Sequence, residues 1–277
     1  MRARIFPGQG AQRKGMGEDV FEDFPELIAQ ADEILGYSMA ELCLQDPEGK
    51  LRQTRYAQPA IYFVNALLHL RENGEPDGFE YFAGHSLGEY NALVAAGMLE
   101  LTDGLELVRR RAEAMAGVTG GGMLAVIGLT REQVESLLFA EGVAAVYLAN
   151  WNSDRQLVVA GDRAGVRAFG KAAARSGATK VTPLNVSGPF HTPLMNPARL
   201  RFDEVLAQCA FKPGDVPVVS SATGEIVDHT GARDLLSSQI STPVQWVGAV
   251  RTLRELGVTE FSEVNGTTLT RLDSEIH

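Results

Sequence analysis

The chain has 277 residues, of which 45% are hydrophobic and 22% are charged, a composition that excludes disordered and fibrous proteins. With 25 basic and 35 acidic side chains the formal net charge is −10, which disfavours a general nucleic-acid binder. The N-terminal residues lack the apolar core of a signal peptide, and no apolar run approaches the roughly 18 residues of a membrane span. We therefore expect a cytoplasmic protein that binds neither nucleic acid nor membrane.

Apolar periodicity predicts strands and helices that alternate along residues 1–118. The predicted elements are strands at 3–6 and 79–83 and helices at 21–35, 58–70, 89–96 and 105–115. Pro59 is expected in the first turn of its helix. The alternation of helices and strands resumes after residue 188, with helices predicted at 201–209 and 247–256 and strands at 216–220 and 260–263.

Residues 119–187 form a stretch of shorter elements. Strands are predicted at 123–127, 144–149, 157–160 and 181–186, and helices at 132–138 and 164–176. The order βαββαβ is that of a ferredoxin-like unit. The sequence therefore predicts an α/β protein in which a ferredoxin-like subdomain, 119–187, is inserted into a large domain made of residues 1–118 and 188–277.

The strongest chemical signal is Gly84-His85-Ser86-Leu87-Gly88, between a predicted strand and a predicted helix. This G-x-S-x-G pattern in a strand–turn–helix setting is typical of a nucleophile elbow. Glycines allow the sharp bend and the close passage of other chains, and Ser86 is lifted out of it. The amide N–H of Leu87 then points to where an oxyanion would develop.

A nucleophilic serine needs a base, and His191 is our candidate among the five histidines. It lies in a Pro-bracketed loop, Ser187 to Pro193, which would fix an imidazole. His85 adjoins the serine, but its side chain should point away from the seryl hydroxyl. No aspartate stands out as a third triad member, so a backbone carbonyl is the alternative partner for His191.

Two further features could contribute to a site around Ser86. The turn Pro7-Gly8-Gln9-Gly10 lacks the residues of a dinucleotide fingerprint or a P-loop, so Gln9 is either a second oxyanion donor or part of a structural turn. Arg109, Arg110 and Arg111 cannot all face one way on a helix. One buried arginine near Ser86 would bind a free carboxylate bidentately.

Taken together, these motifs resemble the malonyl-CoA:acyl carrier protein transacylase family, and most of all the discrete trans-acting acyltransferases of polyketide synthases. The resemblance runs along essentially the whole chain. Its landmarks are Pro7-Gly8-Gln9-Gly10-Ala11-Gln12, Gln58-Pro59-Ala60, Gly84-His85-Ser86-Leu87-Gly88-Glu89-Tyr90, Arg111-x-x-x-Met115, Asn152-Ser153 with Gln156, Pro189-Phe190-His191 and Pro243-Val244-Gln245-Trp246.

The resemblance implies an α/β-hydrolase-like large domain and a role for each site residue. The implied roles are nucleophile for Ser86, base for His191, oxyanion hole for Gln9 and the Leu87 amide, malonate carboxylate clamp for Arg111, and orientation of the histidine by the carbonyl of Gln245. Asn152, Phe190 and His85 are assigned to substrate binding. A Phe before the histidine goes with malonyl, and a Ser with methylmalonyl, among polyketide acyltransferases.

The function implied is transfer of malonyl from malonyl-CoA, through a seryl-enzyme, to the phosphopantetheine thiol of an acyl carrier protein in polyketide or fatty-acid synthesis. We expect a monomer without metal or bound cofactor, because CoA and phosphopantetheine enter as parts of the substrates. The main alternative is an acyl-carrier-protein hydrolase of the same family, which a buried Arg111 argues against. Two further alternatives are an unrelated α/β-hydrolase esterase and a non-catalytic scaffold that binds carrier proteins.

Overall fold

The computed structural model describes residues 1–72, 78–140 and 145–277, and its strands form two four-stranded sheets. The strands are β1 (Arg2–Phe6), β2 (Tyr81–Gly84), β3 (Gly121–Ile127), β4 (Val146–Ser153), β5 (Gln156–Asp162), β6 (Lys180–Pro183), β7 (Val218–Ser220) and β8 (Glu260–Glu263). The fold is mixed α/β, as predicted.

Helices cover both sheets. The α-helices are α1 (Pro25–Leu35), α2 (Met39–Gln45), α3 (Thr54–Glu72), α4 (Gly88–Ala95), α5 (Leu101–Ala116), α6 (Arg131–Ala140), α7 (Arg163–Arg175), α8 (Asn196–Leu206), α9 (Ala232–Gln239), α10 (Trp246–Glu255) and α11 (Thr268–Asp273). Short 3-10 helices occupy Phe21–Asp23, Pro47–Arg52 and Pro193–Met195.

The first sheet is parallel and has the order β7-β2-β1-β8. Phe6 pairs with Gly84, so β1 and β2 end at the same edge. Ligands of open parallel sheets bind outside the carboxyl ends of the strands. The two glycine turns singled out in the sequence, after β1 and after β2, therefore lie side by side.

The second sheet is antiparallel, with the order β4-β5-β3-β6, and is covered by α6 and α7. The elements follow one another as β3-α6-β4-β5-α7-β6, the predicted βαββαβ order. The strand predicted at 144–149 begins on Ala144, which lies outside the described residues, and the strand found there is Val146–Ser153.

The core of the molecule lies around α3, which is buried from Ala57 to His69 and packs on α5. Because nearly the whole circumference of α3 is covered, it behaves as a central helix rather than an amphipathic surface helix. A second apolar cluster, with Trp246 fully buried in it, covers the opposite face of the first sheet.

β4 also pairs with the segment that leads into α10. The N–H of Trp151 donates to the carbonyl of Val244 at 2.8 Å, and the N–H of Val244 donates to Ala149 at 2.8 Å. The β4–β5 register shifts between Leu148 and Asn150. A bulge of this kind re-aims side chains.

Pro59 is not where the sequence predicted. α3 begins at Thr54, so Pro59 lies inside the helix and removes one backbone hydrogen bond there. α2, α9 and α11 were not predicted. Among the described residues, no helix is long and apolar enough to cross a membrane.

Candidate active site

Ser86 lies in a sharp turn between the end of β2 and the start of α4. Its φ of 52° is in the left-handed region, which non-glycine residues rarely adopt. A Cβ on Gly84 would come within 2.0 Å of the Gly88 carbonyl carbon, and one on Gly88 within 2.0 Å of the Phe6 oxygen. Both glycines are therefore required for the close packing that holds Ser86 in this conformation.

His191 contacts the serine directly. Its Nε2 lies 2.8 Å from Oγ of Ser86, and its Nδ1 lies 2.9 Å from the backbone oxygen of Gln239. Because a carbonyl oxygen only accepts, Nδ1 carries the proton and Nε2 is left to accept the seryl hydroxyl. The backbone N–H of His191 donates to Ile240, which fixes the loop.

The assignment of Gln245 as the residue that orients His191 is wrong. The carbonyl at Nδ1 belongs to Gln239, at the end of α9. Gln245 instead precedes α10, and its N–H donates to Ser221 at 2.6 Å. The expectation that a backbone carbonyl replaces an aspartate is met, but by a different residue.

The imidazole is held neutral. Burial and, after it, the positive charge of Arg111 together lower the pKa of His191 to about 3, while the hydrogen bond to Gln239 opposes both. A neutral Nε2 is therefore available to accept a proton at every pH above that value.

Arg111 on α5 points into the same site and is 1% exposed. Its Nη2 donates to Oγ of Ser86 at 3.1 Å and to Oε1 of Gln239 at 3.0 Å, and its Nη1 donates to Oε1 of Gln58 at 2.8 Å. The Tyr90 ring lies 5.6 Å from the guanidinium carbon. In the part of the chain that the structure describes, no carboxylate forms an ion pair with this cation.

The neighbours of Arg111 have a different environment. Arg109 and Arg110 both pair with Glu106 on the outer face of α5, with nitrogen–oxygen distances of 2.6 and 2.8 Å. Only one of the three arginines therefore faces the serine, as the helical geometry predicted.

Ser86, His191 and Arg111 line a cavity of about 160 Å³ between the two sheets. A cavity of about this size holds a benzene-sized group. Of the predicted site residues, all except Gln245 line it: Gln9, His85, Ser86, Leu87, Arg111, Asn152, Phe190 and His191. The other seven lining residues were not predicted as site residues: Gln58, Met115, Met123, Asn150, Val158, Leu184 and Val186.

Gln9 stands in the loop after β1, close to the serine turn. A Cβ on Gly8 would lie 2.5 Å from the carbonyl oxygen of His85, so the two turns are in contact. The side-chain amide of Gln9 donates to Thr54 at 3.3 Å and accepts from Gln58 at 3.4 Å. Leu87 is the N-cap residue of α4, where backbone N–H groups lack helical partners.

The remaining predicted residues form the wall towards the second sheet. Nε2 of His85 lies 2.9 Å from Oδ1 of Asn152, and the His85 ring packs 5.7 Å from Trp246. His85 therefore contacts the cavity without contacting the seryl hydroxyl. Phe190 is 4% exposed and covers the cavity beside His191.

Sequence reasoning missed five polar residues around the site: Gln58, Glu89, Asn150, Ser221 and Gln239. Gln58 and Glu89 fall within family landmarks but had no assigned role. Gln239 lies on a helix that was not predicted, and no local pattern marks Ser221. Within the described ranges, no group of three or more His, Cys, Asp or Glu residues could hold a metal ion.

Comparison with known proteins places this site in context. Residues 4–265 match the family model described as the acyl transferase domain. The polyketide biosynthesis malonyl CoA-acyl carrier protein transacylase BaeC of Bacillus velezensis is 42% identical over 262 residues, covering 94% of this chain and 91% of that protein.

Solved structures agree along the whole chain. The malonyl CoA-acyl carrier protein transacylase from Burkholderia pseudomallei matches with a TM-score of 0.92 and 38% identity, covering 99% of this chain and 97% of that one. A malonyl-transacylase in complex with its type II PKS acyl-carrier protein matches with a TM-score of 0.93 and 34% identity, covering 99% and 92%.

Proposed function

This chain belongs to the acyl transferase domain family, and on that premise we propose that it is a malonyl-CoA:acyl carrier protein transacylase of polyketide or fatty-acid synthesis. The observation that carries the proposal is the double contact at Ser86 Oγ, with His191 Nε2 at 2.8 Å and Arg111 Nη2 at 3.1 Å. A base beside the hydroxyl makes a nucleophile, and a buried guanidinium beside it favours an acyl group that carries a carboxylate.

The first half-reaction acylates Ser86. Its Oγ attacks the thioester carbon of malonyl-CoA while Nε2 of His191 takes the hydroxyl proton. The Leu87 N–H and the Gln9 amide stabilise the oxyanion. The carbon–sulfur bond then breaks, the CoA sulfur receives the proton from His191, and a malonyl-seryl ester remains.

The second half-reaction returns the serine. The phosphopantetheine thiol of an acyl carrier protein attacks the ester carbon, and His191 takes the thiol proton. The carbon–oxygen bond to Ser86 breaks, and His191 protonates the released Oγ. Arg111 binds the malonyl carboxylate through both steps, and Phe190, Asn152 and His85 enclose the acyl group.

The fold and assembly belong to the same proposal. A parallel sheet whose β2 leads into the nucleophile turn supports an α/β-hydrolase-like large domain of residues 1–118 and 188–277. The strand order β4-β5-β3-β6 supports a ferredoxin-like subdomain of residues 119–187. The proposed enzyme is monomeric and cytoplasmic. It needs no bound cofactor, because CoA and phosphopantetheine enter as parts of its substrates.

Intact-protein mass spectrometry tests the first half-reaction. Wild type mixed with malonyl-CoA should gain one malonyl-sized adduct, and Ser86→Ala should gain none. The corresponding mixture with acetyl-CoA should give little adduct. Equal acylation by both thioesters, or an adduct that persists in Ser86→Ala, would contradict the proposal.

A further inference from the structure

Glu89 is a fully buried carboxylate with no step of its own in the transfer reaction. It lies in the first turn of α4, three residues after Ser86. Its Oε2 accepts from Nε2 of Gln239 at 2.6 Å and from Oγ of Ser221 at 3.2 Å. Its Oε1 has no hydrogen-bond partner within the described residues. Burying a carboxylate is costly unless it is paired or hydrogen-bonded.

The first of the two contacts leads to Arg111. Nε2 of Gln239 also donates to the Ser86 carbonyl at 3.1 Å, and Oε1 of Gln239 accepts from Arg111 Nη2 at 3.0 Å. The reversed amide would turn its NH2 towards the guanidinium and its oxygen towards the carboxylate. Because both of those contacts are repulsive, Glu89 determines which end of the Gln239 amide faces Arg111.

The second contact leads to the backbone of the nucleophile. Oγ of Ser221 accepts from the Ser86 N–H at 3.2 Å while it donates to Glu89. Both peptide groups that flank Ser86 are thus tied to one carboxylate, the N–H through Ser221 and the carbonyl through Gln239. A strained left-handed conformation persists only where its surroundings over-determine it.

The charges are arranged to leave Arg111 available. Glu89 and Arg111 form no direct ion pair and are separated by the Gln239 amide, whose dipole is aligned between them. This separation stabilises the buried guanidinium while leaving it free to receive a substrate carboxylate. A direct ion pair would have neutralised it.

Glu89 can serve as an acceptor in either protonation state. Burial raises the pKa of Glu89 to about 7, while the hydrogen bonds from Gln239 and Ser221 and the positive charge of Arg111 lower it. A proton on Glu89 would sit on Oε1, the oxygen without a partner. Oε2 then still accepts from Gln239 and Ser221.

We propose that Glu89 is a positioning residue for malonyl transfer, which orients Arg111 through Gln239 and the backbone of Ser86 through Ser221. The inference rests on the proposed function, because it takes Arg111 to be the receptor for the malonyl carboxylate. It assigns to one residue the joint alignment of nucleophile and carboxylate clamp.

The test compares kcat/KM for Ser86 acylation by malonyl-CoA and by acetyl-CoA. Glu89→Ala and Gln239→Met should each lower the malonyl value about 10- to 100-fold and reduce the malonyl-over-acetyl ratio, because the buried hydrogen bond that fixes the Gln239 amide is lost. Gln239→Met keeps the backbone carbonyl that orients His191. Ser221→Ala should slow both donors equally and leave the ratio unchanged.

Two further variants serve as controls. Glu89→Gln retains an acceptor oxygen and should restore most of the wild-type malonyl value and ratio. Glu100→Gln removes an exposed carboxylate that pairs with Lys212 at 2.7 Å and should leave both unchanged. Thermal melts establish that each variant is folded.

A folded Glu89→Ala with the wild-type ratio would overturn the inference. If that variant does not fold, an unchanged ratio in Gln239→Met would overturn it instead. A wild type that acylates normally in either case leaves the proposed function standing. A wild type without a malonyl adduct would overturn the proposed function and this inference with it.

Discussion

Nη2 of Arg111 lies 3.1 Å from Oγ of Ser86, at the bottom of a cavity in which no described carboxylate pairs with the guanidinium. Burial lowers the pKa of Arg111 from its ordinary value. A cation held out of water by amide oxygens and a hydroxyl gains most from a ligand that brings its own negative charge. Because Arg111 contacts Ser86, it can select an acyl group that carries a carboxylate at the point where the serine attacks.

Replacing Arg111 by Ala should remove the preference for a carboxylated acyl group. Losing one partner of a buried, hydrogen-bonded charge pair costs about 2–5 kcal/mol, so malonyl acylation should fall by roughly 30-fold or more. Acylation by acetyl-CoA should fall far less. The measurement is the ratio of kcat/KM values for the two thioesters.

The matched control is Arg110→Ala on the same helix. Arg110 pairs with Glu106 at 2.8 Å and does not line the cavity. Arg110→Ala should therefore keep the wild-type ratio of malonyl-CoA to acetyl-CoA kcat/KM values. If Arg111→Ala also kept that ratio, Arg111 could not be the carboxylate receptor.

The pH dependence of acylation should reflect the lowered pKa of His191. The reaction needs a neutral imidazole, so a pKa of about 3 preserves the rate to low pH, and no acid limb should appear above pH 5 for wild type. Removing the positive charge of Arg111 raises this pKa, so the acid limb of Arg111→Ala should move upward.

Acetyl-CoA is the suitable donor for this profile, because it has no carboxyl group that titrates in the same range. The observable is kcat/KM, which reports ionisations of the free enzyme. An acid limb in wild type centred near the ordinary histidine value of about 6.5 would contradict the account.

Gly88→Ala should destabilise the protein and abolish acylation. The added Cβ would lie 2.0 Å from the backbone oxygen of Phe6, which cannot rotate away. Overpacking of this kind costs about 1–3 kcal/mol or more. Gly78→Ala is the control, since no atom of the described residues lies within 4 Å of a Cβ there. Thermal melts of both variants decide the point, and equal melting temperatures would show that the close approach is not required.

Phe190→Ser should improve methylmalonyl-CoA as a donor relative to malonyl-CoA. The ring fills space beside the acyl cavity, and one methyl group in such a pocket is worth about 1–3 kcal/mol. A competition between the two thioesters measures the change. Phe139→Ser, at a position 90% exposed, should leave the competition unchanged. An unaltered outcome for Phe190→Ser would remove it from substrate selection.

Much of the fold follows from local patterns. The strand at 260–263 and the βαββαβ run of residues 121–183 were predictable because apolar periodicity and glycine breaks mark them. α9 was not predicted, since Ser237 and Ser238 weaken the helical pattern and tertiary packing stabilises it instead. Pro59 was assigned to a first turn because the polar residues before it concealed the start of α3.

Some of the site residues could likewise be predicted from the sequence, and others could not. Side chains with distinctive chemistry, such as Ser86, His191 and Arg111, can be found from motifs. The carbonyl that orients His191 cannot, because every residue carries one and only the folded chain brings a particular carbonyl to Nδ1. The correction from Gln245 to Gln239 is of this kind.

Transfer to the carrier protein can be followed on the malonyl group itself. Malonyl-enzyme freed of CoA is mixed with a holo acyl carrier protein, and both proteins are weighed by intact mass spectrometry. For a transacylase, the adduct should leave Ser86 and appear on the holo carrier, while an apo carrier without the phosphopantetheine thiol should leave the malonyl-enzyme unchanged. Loss of the adduct as free malonate at the same rate with either carrier would contradict transfer and identify a hydrolase.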